Sequence, residues 1–219
     1  MRERIEALSA RAEFFLVITL SFSYFIGTSL SVLLLNLRQF ELTTGRALRG
    51  IATEIVILLV VCWILRVRGW RLSRLTGRFT VPAFLAGIPL FMAYYFLYVA
   101  VTITVTAIGA GRFSTVRVVP TAPVLVMLAF LVVNSVFEEV LVTGYVIAAL
   151  SEQGAALAIT ASTLLRLLYH LYQGPVASLS ILPLGLLFGA VFWKWRNLWP
   201  LVMAHTLANV LALLYAGSG

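Results

Sequence analysis

The chain has 219 residues, of which 62% are hydrophobic and 11% charged, against about 45–50% and about 25% in soluble domains. Its mean hydropathy of +1.03 excludes an ordinary soluble domain, and the lack of any low-complexity tract excludes disordered and fibrous classes. A net charge of +8 arises from fifteen Arg and Lys194 against eight Glu, with no Asp, which excludes aspartyl intramembrane proteases and Ser-His-Asp triads.

A hydrocarbon core of about 30 Å needs about 20 apolar helical residues. That ruler predicts an all-α, polytopic transmembrane helical bundle of about seven spans, forming a single integral membrane domain over residues 1–219. The spans run from Phe14 to Leu37, Gly50 to Leu65, Pro82 to Ala107, Pro120 to Leu150, Ala155 to Tyr172, Pro175 to Trp193 and Leu198 to Tyr215. The first lacks an A-x-A type exit and reads as a retained span rather than a signal peptide. The fourth is over-long and polar in its second half, which predicts a break or an interfacial continuation. Gly185 and Gly189 form a small-xxx-small pair that predicts a close helix contact. Cys62 lies within an apolar run with no second cysteine to pair with.

Sorting the cations by side places Arg2, Arg4, Arg11, Arg66, Arg68, Arg71, Arg74, Arg78, Lys194 and Arg196 together. Arg38, Arg46, Arg49, Arg112 and Arg117 fall on the opposite side. The positive-inside rule then predicts a multi-pass protein of the cell membrane with a cytoplasmic N-terminus. The arginines sit in short segments between apolar runs, where they set topology and meet anionic lipid. The lipid bilayer is therefore an expected partner and nucleic acid is not.

Ionisable side chains deep in a bilayer are costly unless paired or hydrated, so each is a candidate functional residue. Here Glu138 and Glu139 lie in the fourth span, Arg166 and His170 in the fifth, and His205 and Asn209 in the seventh. The chain has no other histidine. Arg166 and His170 are four apart, as are His205 and Asn209, so each pair shares a helix face. Glu138 and Glu139 differ by about 100° of helix rotation, which predicts one facing the site and the other holding a structural partner. Glu54, about a turn from the expected start of the second span, reads as interfacial and structural.

Two histidines, a glutamate and an amide supply what amide hydrolysis needs: a base for water, a proton for the leaving amine and N–H donors for an oxyanion. No cofactor is demanded by this set. Zinc is compatible with it, since Glu138, His170 and His205 match the three protein ligands of an open catalytic zinc site. The chain has neither H-E-x-x-H nor G-x-S-x-G, the signatures of zincin-type and serine nucleophile sites. A non-enzymatic scaffold, or a proton-coupled transporter built on the same Glu and His, is the alternative class. No internal repeat of the kind transporters show is present.

Three ordered runs carry a family resemblance: Asn134-Ser-Val-Phe-Glu-Glu-Val-Leu-Val-Thr-Gly-Tyr145, Arg166-Leu-Leu-Tyr-His-Leu-Tyr-Gln-Gly-Pro175 and Leu198-Trp-Pro-Leu-Val-Met-Ala-His-Thr-Leu-Ala-Asn209. They resemble the motifs of the CPBP family, which comprises type II CAAX prenyl endopeptidases and bacteriocin-processing or abortive-infection (Abi) relatives. The likeness covers the C-terminal 90 or so residues, with the motifs in 134–209. It implies an intramembrane endopeptidase, glutamate- or metal-dependent, acting on a membrane-associated peptide or protein. In that scheme Glu138 and His170 activate the attacking water, and His205 and Asn209 form the oxyanion site. Two positions depart from the pattern: the motif arginine is Thr143 and the motif phenylalanine is Arg166.

Three expectations follow. Glu138, His170 and His205 converge within about 6 Å, so that one water bridges them. Their cavity opens to the cytoplasm. The displaced cation Arg166, with Glu139 in a supporting role, bonds Glu139, or Glu138 if the two glutamates exchange places.

Overall fold

A computed structural model describes residues 2–37, 39–108, 117–174, 178–179 and 181–217. Pro175, expected to open the sixth span, and the loop cations Arg38 and Arg112 lie outside the described residues. The chain is an all-α membrane bundle. Among the described residues five helical stretches are long and apolar enough to cross a bilayer and two apolar helices are shorter.

After a short α1 (Arg2–Glu6), the Ser9 hydroxyl accepts from Ala12 N and starts α2 (Ala10–Leu34). This helix stops at Leu34, three residues before the expected end, because Asn36 turns to a φ of 50°. Leu37 N–H then reaches back to the Val32 carbonyl at 3.1 Å, the Schellman stop that Asn supports at low cost. The second span, α3 (Thr44–Val67), begins six residues ahead of the expected Gly50, because Thr43 caps it by accepting from Arg46 N at 3.3 Å.

Two short helices, α4 (Leu72–Thr76) and α5 (Val81–Leu85), lead into α6 (Gly87–Ala107). The fourth span starts as α7 (Val124–Glu138), since Pro120 belongs to a strand rather than the helix. It neither breaks nor turns along the interface. Instead it widens into a seven-residue π-helix, Glu139–Tyr145, and closes with α8 (Val146–Ala149). Beyond it lie α9 (Ala155–His170), α10 (Leu182–Trp195) and α11 (Trp199–Gly217).

Two strands were not foreseen. β1 (Gln39–Leu42) and β2 (Arg117–Pro120) pair in parallel, Gln39 opposite Arg117, and so tie the α2–α3 and α6–α7 connections to one end of the bundle. At the other end Arg68 donates to the Glu6 carbonyl, Leu198 N to the Thr76 carbonyl and Asn197 Nδ2 to the Arg78 carbonyl. The described loops therefore sort into the two sides that the charge count assumed.

Close packing fixes the helices that carry the polar residues. A Cβ on Gly185 would lie 2.7 Å from Thr163 Cγ2 and one on Gly189 2.8 Å from Ile159 Cγ2, so the glycine pair lets α10 lie against α9. Gly87 does the same for α6 and α11, where a Cβ would fall 2.5 Å from both Met203 Cβ and the Pro200 carbonyl. Glu13, buried on α2, accepts from Arg68 Nε at 2.8 Å, Trp70 Nε1 at 3.0 Å and the Tyr145 hydroxyl at 3.3 Å. That clasp joins α2 and the end of α3 to the last residue of the π-helix.

Candidate active site

The site is built where α7 gives way to the π-helix. A π-helix is rare and is found mostly at functional sites, because its wider turn displaces side chains and frees carbonyls from the regular ladder. The Ser162 hydroxyl of α9 donates to the Val142 carbonyl at 2.8 Å and so anchors α9 against the widened segment. Glu138 and Glu139 sit at the junction, and Arg166 enters from α9 between them. Its Nη1 donates to Glu138 Oε2 at 3.0 Å and its Nη2 to Glu139 Oε1 at 2.8 Å.

Both glutamates thus meet the same cation. The 100° between neighbours separates their Cβ directions, but a planar guanidinium with two donor edges spans the gap. The wider turn that starts at Glu139 narrows the angle further. The expected Arg166 bond to Glu139 is present, together with a second to Glu138. Thr143, where the motif has arginine, fits this rearrangement: its hydroxyl donates to Glu139 Oε2 at 2.7 Å and accepts from Arg166 Nη2 at 3.1 Å.

His205 approaches from α11. Its Nδ1–H donates to Glu139 Oε1 at 2.7 Å, and its Nε2 lies 3.9 Å from Glu138 Oε2. His170, at the last turn of α9, gives Nδ1–H to the Arg166 carbonyl at 2.9 Å and packs on Tyr169 with ring centroids 4.5 Å apart. Among the described residues no hydrogen bond joins His170 to Glu138; Tyr169 stands between them, its hydroxyl donating to Glu138 Oε2. Asn209 is further removed. Its amide meets Asn134 and Ser135 on α7, one turn before Glu138.

The two carboxylates are therefore held differently. Both oxygens of Glu139 are occupied, by Arg166, His205 and Thr143. In Glu138 every described contact falls on Oε2, which leaves Oε1 for a reacting molecule. The residues are enclosed, with Glu139 0%, Arg166 1%, His205 3%, Glu138 5% and His170 9% exposed. A separate cavity of about 560 Å³ beside Tyr24, Gly27 and Arg46 holds none of them.

The donor set does not suit a divalent cation. Among the described residues no three of His, Cys, Asp and Glu are grouped to hold one. A permanent guanidinium lies 3.0 Å from the carboxylate that would be the central ligand, where it repels a second cation. The zinc set Glu138, His170 and His205 is thus replaced by an arginine-centred cluster.

Three residues that sequence reasoning passed over belong to this region. Tyr169 carried a usable signal, since it stands three residues after Arg166 and so shares its face. Ser135 and Asn134 stand three and four residues before Glu138, on the same stripe of α7. Glu54 was misplaced: it is 1% exposed and receives Asn134 Nδ2 at 2.9 Å. It lies about 15 Å along α3 from Thr44, toward the middle of that helix rather than a turn from its start.

No curated protein and no solved structure matches the chain. Residues 120–211, which hold all three motifs and the whole polar cluster, match the family model for Type II CAAX prenyl endopeptidase Rce1-like, consistent with the CPBP family and, at family level, with a CAAX-type intramembrane protease.

Proposed function

We propose that this protein is an intramembrane endopeptidase that hydrolyses a peptide bond of a membrane-associated substrate with a water activated by Glu138 and His170. The observation that carries this reading is the unequal treatment of the two glutamates. Glu139 is saturated and orients His205, whereas in Glu138 the described contacts, the 3.9 Å approach of His205 Nε2 included, all fall on Oε2 and leave Oε1 free. A carboxylate with a free oxygen beside the histidines of the site can take a proton from water.

In the proposed reaction Glu138 Oε1 takes a proton from water as the water oxygen bonds to the carbonyl carbon. His170 Nε2, whose ring is fixed by the Nδ1–H bond to Arg166, orients that water. The new oxyanion receives N–H donors from His205 Nε2 and from Asn209, whose present contacts at 3.3 and 3.4 Å are long enough to exchange. When His205 carries both ring protons, Glu139 beneath Nδ1 balances the charge. Collapse then breaks the C–N bond as the proton on Glu138 passes to the leaving nitrogen. Because His205 lies about 9 Å along α11 from Trp199, at the end shared with the N-terminus, the substrate enters from the cytoplasmic side.

The test uses purified full-length protein in lipid nanodiscs with three membrane-anchored peptides: a prenylated C-terminus, a leader peptide and a transmembrane segment. Cleavage of at least one, unaffected by prior chelation and lost in Glu138→Ala, is expected. No cleavage of any of them sinks the peptidase reading and leaves the scaffold or transporter class. Loss of cleavage on chelation would refute the metal-free chemistry.

A further inference from the structure

Glu54 is a third carboxylate at the depth of the site, and the reaction above does not use it. One of its oxygens, Oε1, accepts from Asn134 Nδ2 at 2.9 Å, and the other is buried with no partner among the described residues. Asn134 Oδ1 in turn accepts from Asn209 Nδ2 at 3.4 Å, and Ser135 Oγ accepts from the same nitrogen at 3.3 Å. Ser135 has spent its own proton on the Leu131 carbonyl at 2.8 Å, so toward Asn209 it only accepts.

We infer that Glu54 is a positioning residue which, through Asn134, fixes the orientation of the Asn209 side-chain amide. An amide has a donor end and an acceptor end, and it turns over freely unless its neighbours distinguish them. Glu54 supplies an acceptor at the start of the chain, which commits the Asn134 NH₂ to α3 and its oxygen to α11. Asn209 then presents its NH₂ to that oxygen and to Ser135. Without Glu54, Asn134 reverses at little cost, its NH₂ faces Asn209, and Asn209 loses one of the two acceptors, Asn134 and Ser135, that hold its rotamer. Three spans, α3, α7 and α11, are thereby joined by one directional run of hydrogen bonds that ends on a carboxylate.

This inference rests on the proposed function only in what Asn209 is held for; its geometry is read separately. The chain has four asparagines, Asn36, Asn134, Asn197 and Asn209, so protein labelled with ¹⁵N in the asparagine side chains gives four NH₂ signals, assignable by single substitutions. Glu54→Met, which removes the acceptor and keeps the volume, is expected to shift the signals of both Asn134 and Asn209, although Glu54 does not touch Asn209. Glu54→Gln retains an acceptor oxygen and restores the Asn209 signal. Asn134→Leu shifts that signal in the same way and decides the matter if Glu54→Met fails to fold.

In the nanodisc assay Glu54→Met lowers kcat about tenfold with KM unchanged, and adds nothing to Asn209→Ala. An Asn209 signal that ignores both Glu54→Met and Asn134→Leu, or fully additive losses with Asn209→Ala, would overturn the inference. A wild-type protein that cleaves nothing would refute the proposed function instead, while the asparagine spectrum still decides whether Glu54 orients Asn209.

Discussion

Glu138 and Glu139 are neighbours in sequence and differ in what surrounds them. Glu139→Gln keeps an acceptor oxygen but leaves Arg166 with one carboxylate instead of two, and removing one charge of a buried pair costs about 3–5 kcal/mol; denaturant unfolding in detergent should show a loss of that size. Tyr169→Phe removes a hydrogen bond to Glu138 and leaves the ring stacked on Phe22 and packed at a tilt against His170. It is expected to lower kcat about tenfold or more, since a bond to a charged acceptor is worth about 1.5–3 kcal/mol, with unfolding changed far less than in Glu139→Gln. The bond of Arg166 to Glu139 and the approach of His205 to Glu138 were legible because intramembrane charges are few and must find one another, whereas His170 bonds the Arg166 carbonyl rather than Glu138. The placement of Asn209 was not. Spacing put it on the His205 face, but its partners Asn134 and Ser135 lie on another helix, and tertiary partners of an uncharged amide leave no periodic trace.

At the scale of elements, the cation that neutralises the two glutamates is delivered by α9, whereas the family motif places it on the segment occupied here by the π-helix. Arg166→Ala should destabilise or inactivate the protein. Adding Thr143→Arg should restore part of the lost stability and activity, because Thr143 already touches both Glu139 and Arg166; a double variant no better than Arg166→Ala would show that the two positions are not interchangeable. The helices themselves were readable from hydropathy, but their ends were set by side-chain caps. Thr43 draws α3 six residues upstream through a polar turn that apolar counting discards, and Asn36 stops α2 early. Neither the π-helix nor the β1–β2 pairing could be read. A π-turn changes no hydrophobic period over seven residues, and a four-residue strand at a loop depends on where the other loop lies.

For the molecule as a whole, the structure gathers the described cation-rich segments around α1, α4 and the α10–α11 turn and places the β1–β2 pair at the opposite end. If the charge-rich end is cytoplasmic, a membrane-impermeant thiol reagent applied to intact cells should label Gln39→Cys and not Arg4→Cys, both in a Cys62→Ala background. The opposite pattern would invert the topology. Catalysis by the Glu138 carboxylate in an otherwise intact bundle is tested most directly by Glu138→Gln, which keeps the shape and a hydrogen-bonding oxygen but cannot take a proton from water. Steady-state cleavage in nanodiscs, measured beside thermal unfolding of the same samples, should show kcat reduced by about 10²–10⁴-fold with the fold retained. A Glu138→Gln protein that is folded and cleaves at the wild-type rate would contradict it.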